Sequence, residues 1–368
     1  MTVESPKARL WIDGCFDGFH FAHANAVRQS RKFGDYVIVG VHSDRLIEKN
    51  KGPTLFDERE RRVQLGKSYQ RDPQHWLFRY DLIRGCRWVN EVAEDVPYIT
   101  DMDYVAKYNI DYVCHGDDPV LVSTVDRSDV PPITQKNYNR MLMSLKGKDC
   151  YENAKKAGKY KEYPRTTGIS TTSLIDRILL PETRLLAPEE ALWKLIDDFA
   201  TSCPEPPPII DLSDPNNRHD TLPRDNPRDV IYIGASWDVF GAGHVELLRR
   251  AHQTRKDAYL IVGVWGEQAT WDECGERPLL DTLERVLAVL QCRYTSAVII
   301  DAPVEPTAAF LSEVTAKFVV NPGHNFSITN DIQVLPVSVP KLQTINELRE
   351  RLKDRKDLYS ARQKKKRT

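Results

Sequence analysis

The chain of 368 residues lacks the features that mark membrane, secreted and zinc-stabilised proteins. No apolar run reaches the roughly 20 residues that a membrane-spanning helix needs, so we expect no transmembrane segment. The beginning, MTVESPKARLWIDG, has no apolar core and does not predict a signal peptide. Seven scattered cysteines form neither a CxxC pair nor a metal-ligand pattern, which indicates a reducing compartment, no structural zinc and a cytoplasmic protein.

The chain also lacks an excess of either charge. Its 52 basic and 53 acidic residues give a formal net charge of −1, which argues against a nucleic-acid partner. The local exception is the ending RQKKKRT, which fits a solvated tail, a weak contact with an anionic membrane or a nuclear address. The hydrophobic share of 41% and the length predict globular cores in about two domains.

What the chain does have is an internal repeat. The stretch RLWIDGCFDGFHFAHANAVRQSRKFGDYVIVGVHSD begins at Arg9, and its echo DVIYIGASWDVFGAGHVELLRRAHQTRKDAYLIVGVWGE begins at Asp229. Each copy has the pattern of an apolar strand, a glycine-containing turn, an amphipathic helix and a second strand, which is a parallel βαβ unit. The sequence therefore predicts an α/β protein with two tandem Rossmann-like domains, whose parallel sheets are flanked by helices.

Composition sets the expected boundaries. We assign residues 1–180 to a first domain, 181–227 to a linker, 228–340 to a second domain, and 341–368 to a charged helix with a basic tail. In the linker, APEEALWKLIDDFATSC predicts a helix, whereas PEPPPIIDLSDPNNRHDTLPRDNPRD is too rich in proline and asparagine for regular structure. The late segment TINELRERLKDRKDLYSARQ predicts a highly charged helix that packs by a thin apolar stripe.

The two copies differ in length at one place. Glu60 and Cys86 are 26 positions apart, but the matching Glu284 and Cys292 are 8 apart, so the first copy carries 18 extra residues, roughly GKSYQRDPQHWLFRYDLI. This insert is either a surface loop with a local role or a retained intron in the gene sequence. Sequencing the transcript distinguishes the two.

Two histidines, His20 and His23, lie where the first strand ends and its helix begins. Ligands of open parallel sheets bind at the carboxyl ends of strands, and a helix N-terminus with free N–H groups suits phosphate. Histidines three residues apart at a helix start can point the same way and donate hydrogen bonds to phosphate oxygens. An HxxH pair also fits a structural role or a zinc site, although no third zinc ligand with suitable spacing stands nearby.

A second phosphate-like element is RTTGISTT, from Arg165 to Thr172, which precedes the apolar-periodic helix SLIDRILL. Its hydroxyls, glycine and arginine offer more donors than one helix cap needs, and a polyphosphate can use the surplus. Lys51, in EKNKGPT, lies beside a glycine after the second strand and can reach a phosphate as a point charge.

Together, DGCFDGFHFAH, KNKGPT, CRWVNEV, HGDD and RTTGISTT strongly resemble the cytidylyltransferases of the phospholipid pathways. The tandem arrangement and HGDD, from His115, are similar to the ethanolamine-phosphate members of that family. The resemblance implies nucleotidyltransferase domains and a transfer from CTP to phosphoethanolamine that gives CDP-ethanolamine and pyrophosphate. The attack at the α-phosphorus would be in line, without a covalent enzyme intermediate, and positioning with charge stabilisation would supply the catalysis.

The resemblance also implies site residues. The histidines would hold the oxygens of the reacting phosphate, and Lys51 would bridge the phosphates of the two substrates. The CTP-binding set comprises Gly14, Cys15, Phe16, His20, His23, Arg87, His115, Gly116, Asp117, Arg165, Gly168, Ile169, Ser170, Thr171 and Thr172. The phosphoethanolamine-binding set comprises Asp17, Lys51 and Trp88. Asp17 alternatively stabilises the turn, and Asp117 lies near the cytidine or the ammonium. Mg²⁺ would enter with CTP, the protein itself would hold no metal, and a homodimer is possible.

Two departures bear on activity. The family's histidine turn reads HxGH, and here Ala22 replaces that glycine, so we expect reduced rather than absent activity. The second copy has Gly241 in place of the first histidine, no lysine from Asp257 to Ala316 and no RTTGISTT after NPGH at Asn321. We therefore expect a degenerate second domain that packs on or regulates the first. The alternatives are a cytidylyltransferase for phosphocholine or glycerol phosphate, and a non-catalytic scaffold.

Overall fold

A computed structural model gives the fold over most of the chain. It describes residues 8–56, 79–117, 149–181, 186–214, 221–223, 226, 228–321, 332–340, 342–355 and 357–359. The chain divides into two compact units. The first takes Met1–Arg84, Trp88–Ile175 and Glu350–Thr368, and the second takes Gly85–Arg87 and Asp176–Arg349, counting only the described residues within these ranges.

The first unit is built on a parallel sheet. Its described strands are β1 (Arg9–Gly14), β2 (Tyr36–Val41), β3 (Glu91–Glu94), β4 (Tyr112–Gly116) and β5 (Tyr160–Tyr163), in the order β3-β2-β1-β4-β5. The helices that begin in it are α1 (Phe21–Ser30), α2 (Asp44–Lys51), α3 (Arg79–Arg84), α4 (Met102–Lys107), α5 (Glu152–Lys156) and α6 (Thr171–Leu179), of which α6 ends within the second unit. The order reverses between β1 and β4, and ligands of such sheets bind in the crevice at that switch point.

The second unit repeats this plan. Its described strands are β6 (Ile209–Asp211), β7 (Val230–Ala235), β8 (Tyr259–Val264), β9 (Ala297–Ile300), β10 (Phe318–Val320) and β11 (Gln333–Leu335), all parallel in the order β11-β10-β7-β8-β9-β6. Its helices are α7 (Glu189–Thr201), α8 (Ala242–Gln253), α9 (Glu267–Cys274), α10 (Thr282–Leu290), α11 (Ala308–Glu313) and the beginning of α12 (Ile345–Asp354). The prediction of two parallel-sheet domains flanked by helices is confirmed.

In both sheets a glycine on one strand leaves room for a large aromatic side chain from the neighbouring strand. The ring of Trp11 on β1 lies over Gly40 on β2, where an added Cβ would come within 2.5 Å of the indole. In the second unit Tyr232 lies over Gly263, where a Cβ would come within 2.3 Å of the phenol oxygen. The glycine of each YxIVGV strand is thus the space that admits a large aromatic core residue.

The linker contains regular structure that composition did not predict. Helix α7 matches the expected helical segment, but Ile209–Asp211, inside the proline-rich run, form strand β6. The strand pairs in parallel with β9 and adds an edge to the second sheet. Ile209 and Ile210 point to opposite faces of the sheet and both are buried. The flanking prolines do not prevent the strand, because proline is tolerated next to an edge strand. The boundaries at 180, 227 and 340 otherwise stay predictions.

No helix in the described part of the chain combines the length and apolar character needed to cross a bilayer. Most of the 18-residue insert and the basic ending lie outside the described residues, so their roles stay predictions.

Candidate active site

A strained turn follows β1 and is reproduced in the second unit. Phe16 and Gly18 have φ angles of 46° and 63°, and the matching Trp237 and Val239 have 56° and 49°. A positive φ is unfavourable for non-glycine residues and most of all for a β-branched valine. Because even valine adopts it, tertiary packing rather than local preference imposes this turn.

The turn delivers two stacked histidines to the start of α1. His20 is the residue before the helix, and its ring lies 4.0 Å from that of His23, centroid to centroid, with an interplanar angle of 26°. The backbone N–H of His20 donates to Nδ1 of His23 at 3.4 Å. This contact places the proton of neutral His23 on Nε2, which can donate to an anion. The aromatic rings of Phe16 and Phe19 pack against His23 and fix its orientation.

Asp17 holds the turn against the lysine loop, residues 52–56. Its Oδ1 accepts from the backbone N–H groups of Leu55, at 2.8 Å, and Phe56, at 3.0 Å. Asp238 accepts in the same way from Leu279 and Leu280 in the second unit. Of the two roles expected for Asp17, these contacts show the one that stabilises the turn. The second unit lacks counterparts of other predicted site residues but keeps this contact between the aspartate and the loop. Its retention supports the same interpretation.

Lys51 is the last residue of α2. Gly52 ends that helix at a φ of 92°, a conformation that favours glycine, and so directs the chain away from the helix axis. The Lys51 ammonium lies 5.9 Å from the ring centroid of Tyr98. Burial raises the pKa of Tyr98 to about 12, while the positive charge of Lys51 opposes that rise. Tyr98 therefore stays neutral and offers Lys51 a polar neighbour at physiological pH.

The RTTGISTT segment lies beside the histidine turn. Thr171, the first residue of α6, donates its hydroxyl to the backbone carbonyl of Asp17 at 2.8 Å. Ser170 caps the helix, because its Oγ accepts from the N–H of Ser173 at 3.0 Å. These hydroxyls fix the helix start in place. The start of α6, with its positive dipole end, thus lies beside the histidine turn that begins α1.

The residue that follows strand β4 also contributes to the site. Asp117, just after β4, accepts through Oδ1 from the backbone N–H of Arg165 at 3.1 Å, so it holds the RTTGISTT segment. Asn25 on α1 donates to the Thr166 hydroxyl at 2.8 Å and fixes the same segment from the other side. The Arg165 side chain is exposed.

The remaining residues of the predicted CTP set take the following positions. Gly14 ends β1 and Cys15 is buried behind the turn; His115 and Gly116 end β4; Gly168 has a φ of 93°, Ile169 is buried, and Thr172 is the second residue of α6.

Asp13, at the end of β1, is a residue that the motif analysis did not assign. Its carboxylate is 5% exposed and has three neutral donors: Trp11 Nε1 at 3.0 Å, Tyr151 Oη at 2.7 Å, and the Thr100 hydroxyl. Burial, and then the negative charge of Asp13, raise the pKa of Tyr151 well above its usual value. Among the described residues, the side chains that donate to this buried carboxylate are neutral, so its negative charge is available to a small cation. A comparison of the two copies singles out Asp13 at the level of sequence, because Gly234 replaces it in the second copy.

Arg87 was assigned to CTP, and its contact with CTP stays a prediction. It belongs to the second compact unit, where Nη2 donates to the carbonyls of Cys292, at 2.7 Å, and Thr295, at 2.8 Å. Its backbone N–H donates to Gln291 at 2.9 Å, beside an antiparallel bridge between Cys86 and Cys292. The guanidinium satisfies backbone carbonyls, which explains why an arginine stands there.

Trp88 was assigned to the phosphoethanolamine site. Its indole is buried in the first unit, and its backbone carbonyl accepts from Arg31 at 3.2 Å. Its predicted contact with substrate stays a prediction.

A family model described as cytidylyltransferase-like matches residues 11–75, 66–177 and 232–363, which include most of both repeats. The chain belongs to the cytidylyltransferase-like family. The overlap of the first two matches, at residues 66–75, falls within the 18-residue insert.

Relatives named ethanolamine-phosphate cytidylyltransferase match most of this chain. The ethanolamine-phosphate cytidylyltransferase of Dictyostelium discoideum is 30% identical over 99% of this chain and 96% of its own length. That of Mus musculus is 32% identical over 84% of this chain and 74% of its own length. Choline-phosphate cytidylyltransferase 2 of Arabidopsis thaliana is 35% identical, but over 46% of this chain and 44% of its own length. The resemblance to tandem ethanolamine-phosphate cytidylyltransferases is confirmed.

Ala22 departs from the family's HxGH turn without strain. It is the second residue of α1 and is not among the residues with positive φ, so this position does not need the conformational freedom of glycine. Its consequence is therefore limited to one added methyl group, and the expected reduction in activity stays a prediction.

The second cytidylyltransferase-like domain keeps the capping histidine and has Gly241 in place of the first histidine. Gly241 N–H donates to Nδ1 of His244 at 3.1 Å, as His20 does to His23. Burial lowers the pKa of His244 to about 4. With a glycine where a second imidazole would stand, His244 remains as a neutral, buried capping residue.

We expect His244→Ala to leave kcat nearly unchanged, because His244 caps a helix outside the catalytic domain. It should instead change the pH dependence of stability. The pKa of His244 is below the unfolded value of about 6.5, so between about pH 6.5 and 4 the unfolded chain binds more protons and wild-type stability falls as pH falls.

This stability loss amounts to roughly 3 kcal/mol at pH 4 and should be absent from the variant. Denaturant unfolding at several pH values measures it, with wild type as the reference. A collapse of kcat in a folded His244→Ala protein would contradict the assignment.

Proposed function

We propose that this chain transfers cytidylyl from CTP to phosphoethanolamine, forming CDP-ethanolamine and pyrophosphate for phosphatidylethanolamine synthesis. The observation that carries the proposal is the bond from the Thr171 hydroxyl to the carbonyl of Asp17. It joins the starts of two helices, α1 with its stacked histidines and α6, at one switch point of a parallel sheet. Two positive helix ends and two imidazoles form a site for several phosphate groups.

The reaction needs positioning more than acid–base chemistry. An oxygen of the phosphoethanolamine phosphate attacks the α-phosphorus of CTP and forms the new P–O bond. The bond from that phosphorus to the bridging oxygen of the β-phosphate breaks, and pyrophosphate leaves with the electron pair. Nε2 of His23, with His20 beside it, donates to the oxygens on which charge develops. Lys51 neutralises the two phosphates that must approach each other.

Asp13 is the residue from which we infer the class of phospho-alcohol that accepts the cytidylyl group. Its buried carboxylate, whose donors within the described ranges are neutral, pairs favourably with the primary ammonium of phosphoethanolamine. The adjacent ring of Tyr151 adds an apolar, electron-rich wall. Among the phospho-alcohols considered, glycerol phosphate has no cation to pair with this carboxylate, and phosphocholine has a cation without N–H donors.

We propose that Mg²⁺ enters with CTP. Within the described ranges, no group of three His, Cys, Asp or Glu side chains is arranged to hold a metal ion. Mg²⁺ is usually carried mainly by substrate phosphates, and here the ion would neutralise the leaving pyrophosphate.

Pyrophosphate release from CTP, measured with phosphoethanolamine, phosphocholine and glycerol phosphate in turn, tests the proposal. We expect the largest kcat/KM for phosphoethanolamine. A larger value for either other acceptor would transfer the proposal to that substrate. CTP binding without release from any acceptor would favour the scaffold alternative.

The cellular and assembly predictions are part of the same proposal. We propose a cytoplasmic enzyme without a nucleic-acid partner, a possible homodimer, and at most a weak membrane contact through the basic ending. Sedimentation and vesicle binding with the full chain measure the last two.

A further inference from the structure

The backbone of the lysine loop is held on both sides. Its N–H groups at Leu55 and Phe56 donate to Asp17, as described above. Its carbonyl groups are bound by the C-terminal part of the chain. Tyr359 donates its hydroxyl to the carbonyl of Thr54 at 2.5 Å, and Arg351 donates Nη1 to the carbonyl of Leu55 at 2.5 Å.

These C-terminal contacts are built into the core of the first unit. Residues 350–359 are grouped with that unit, although Tyr359 and Thr54 are 305 positions apart in sequence. Tyr359 is 1% exposed, and Leu352 beside Arg351 is fully buried. A buried tyrosine hydroxyl needs a partner, and the loop carbonyl is that partner. The apolar stripe expected of α12 is present, and these two polar contacts add a specific attachment to it.

The lysine loop decides where Lys51 lies. Helix α2 ends at Lys51, Gly52 turns the chain, and the clamped residues begin two positions later at Thr54. Over so short a connection, a shift of Thr54 and Leu55 moves the end of α2 and with it the ammonium. A displacement of about 1 Å at a reacting group is enough to reduce turnover substantially.

The second unit also fixes the matching loop on both sides. Asp238 binds the N–H groups of Leu279 and Leu280, and Arg285 Nε lies 3.3 Å from the carbonyl of Leu280. In that unit the carbonyl contact comes from α10, the next helix of the same repeat. In the first unit, Arg351 and Tyr359 supply carbonyl contacts from the far end of the chain.

We propose that Arg351 and Tyr359, together called the C-terminal clamp, are positioning residues that hold Lys51 in its catalytic place. This proposal rests on the proposed function, because it acts through the role of Lys51 there. Their effect on Lys51 is transmitted through the carbonyls of Thr54 and Leu55.

Tyr359→Phe tests the clamp with the smallest possible change, since it removes one hydroxyl and keeps the buried ring. We expect kcat to fall roughly five- to tenfold, the equivalent of one lost hydrogen bond, while the melting temperature falls by only about 2–4 °C. Arg351→Gln should act in the same direction. The matched control is Lys353→Ala, which removes a side chain that is 59% exposed from the same helix and should leave kcat unchanged.

The decisive comparison combines Tyr359→Phe with Lys51→Ala. If the clamp acts through Lys51, Tyr359→Phe costs nothing further when Lys51 is already absent, because the two losses are not additive. A fully additive loss, or an undiminished kcat for Tyr359→Phe alone, would overturn the proposal.

Hydrogen exchange separates failure of the clamp from failure of the proposed function. The amides of Leu55 and Phe56 should exchange faster in Tyr359→Phe than in wild type, whichever reaction the protein catalyses. Unchanged exchange at both amides would reject the clamp. Absence of cytidylyl transfer in wild type, with exchange accelerated in the variant, would reject the proposed function and retain the clamp.

Discussion

Replacing His23 by alanine is expected to lower kcat for CDP-ethanolamine formation about a hundredfold or more. Nδ1 of His23 accepts from the His20 backbone, so Nε2 holds the proton that is donated to the reacting phosphate. Loss of one transition-state contact worth roughly 3–4 kcal/mol corresponds to that factor. Steady-state pyrophosphate release at saturating CTP and phosphoethanolamine measures the effect.

His244→Ala is the matched control for this change. It removes the equivalent cap in the other repeat, at His244 Nδ1, without removing a proposed catalytic donor. Circular dichroism and melting temperature establish that the His23→Ala protein is folded. A folded His23→Ala variant whose kcat remains within about tenfold of wild type would be inconsistent with transition-state stabilisation by this imidazole.

Asp13→Asn should raise KM for phosphoethanolamine roughly ten- to hundredfold while leaving KM for CTP nearly unchanged. The amide has the shape of the carboxylate and can still accept from Trp11 and Thr100, but it has no charge for the ammonium. A hydrogen bond to a charged group contributes roughly 1.5–3 kcal/mol, which sets the expected range. Substrate titrations of pyrophosphate release give both constants.

An acceptor substrate without an ammonium group tests whether the effect of Asp13 depends on that group. With glycerol phosphate, which has no ammonium, Asp13→Asn should change kcat/KM much less than with phosphoethanolamine. The ratio of the two kcat/KM values should therefore narrow in the variant. Equal losses for both acceptors would show that Asp13 only maintains the fold. Tyr151→Phe, which removes one donor and keeps the carboxylate, should have a smaller effect on the ratio.

The sequence was most informative where the repeat made a comparison possible. Aligned copies of the first βαβ unit predicted both parallel sheets, because strands and helices have distinct hydrophobic periods. They also predicted the histidine turn and the loss of its first histidine in the second domain. The same comparison contained the signal for Asp13 against Gly234, but a lone aspartate at a strand end has no distinctive pattern. Its importance became visible only with its burial and its three neutral donors.

Sequence motifs did not reveal the hydrogen-bond partners that some residues have in the structure. Arg87 lies in a stretch that resembles a family motif, yet its guanidinium binds backbone carbonyls near Cys292. Asp17 lies within the histidine turn, yet its carboxylate binds backbone N–H groups of the lysine loop. A motif records which residue types occur together, whereas hydrogen-bond partners depend on where distant segments meet. Strand β6 escaped prediction for a related reason, since its three residues gain stability only by pairing with β9.

By itself, the sequence determined the α/β class, the tandem repeat and the family, because periodicity and motifs are local properties of the chain. It also determined which copy keeps the histidines, the lysine and the hydroxyl-rich helix start. Only the tertiary structure decided that Asp13 is a buried carboxylate, that Arg87 has a structural partner, and that Arg351 and Tyr359 bind the lysine loop. Apart from the bond between Trp11 and Asp13, these contacts join residues 87 to 305 positions apart, and such pairings are fixed by packing rather than by local pattern.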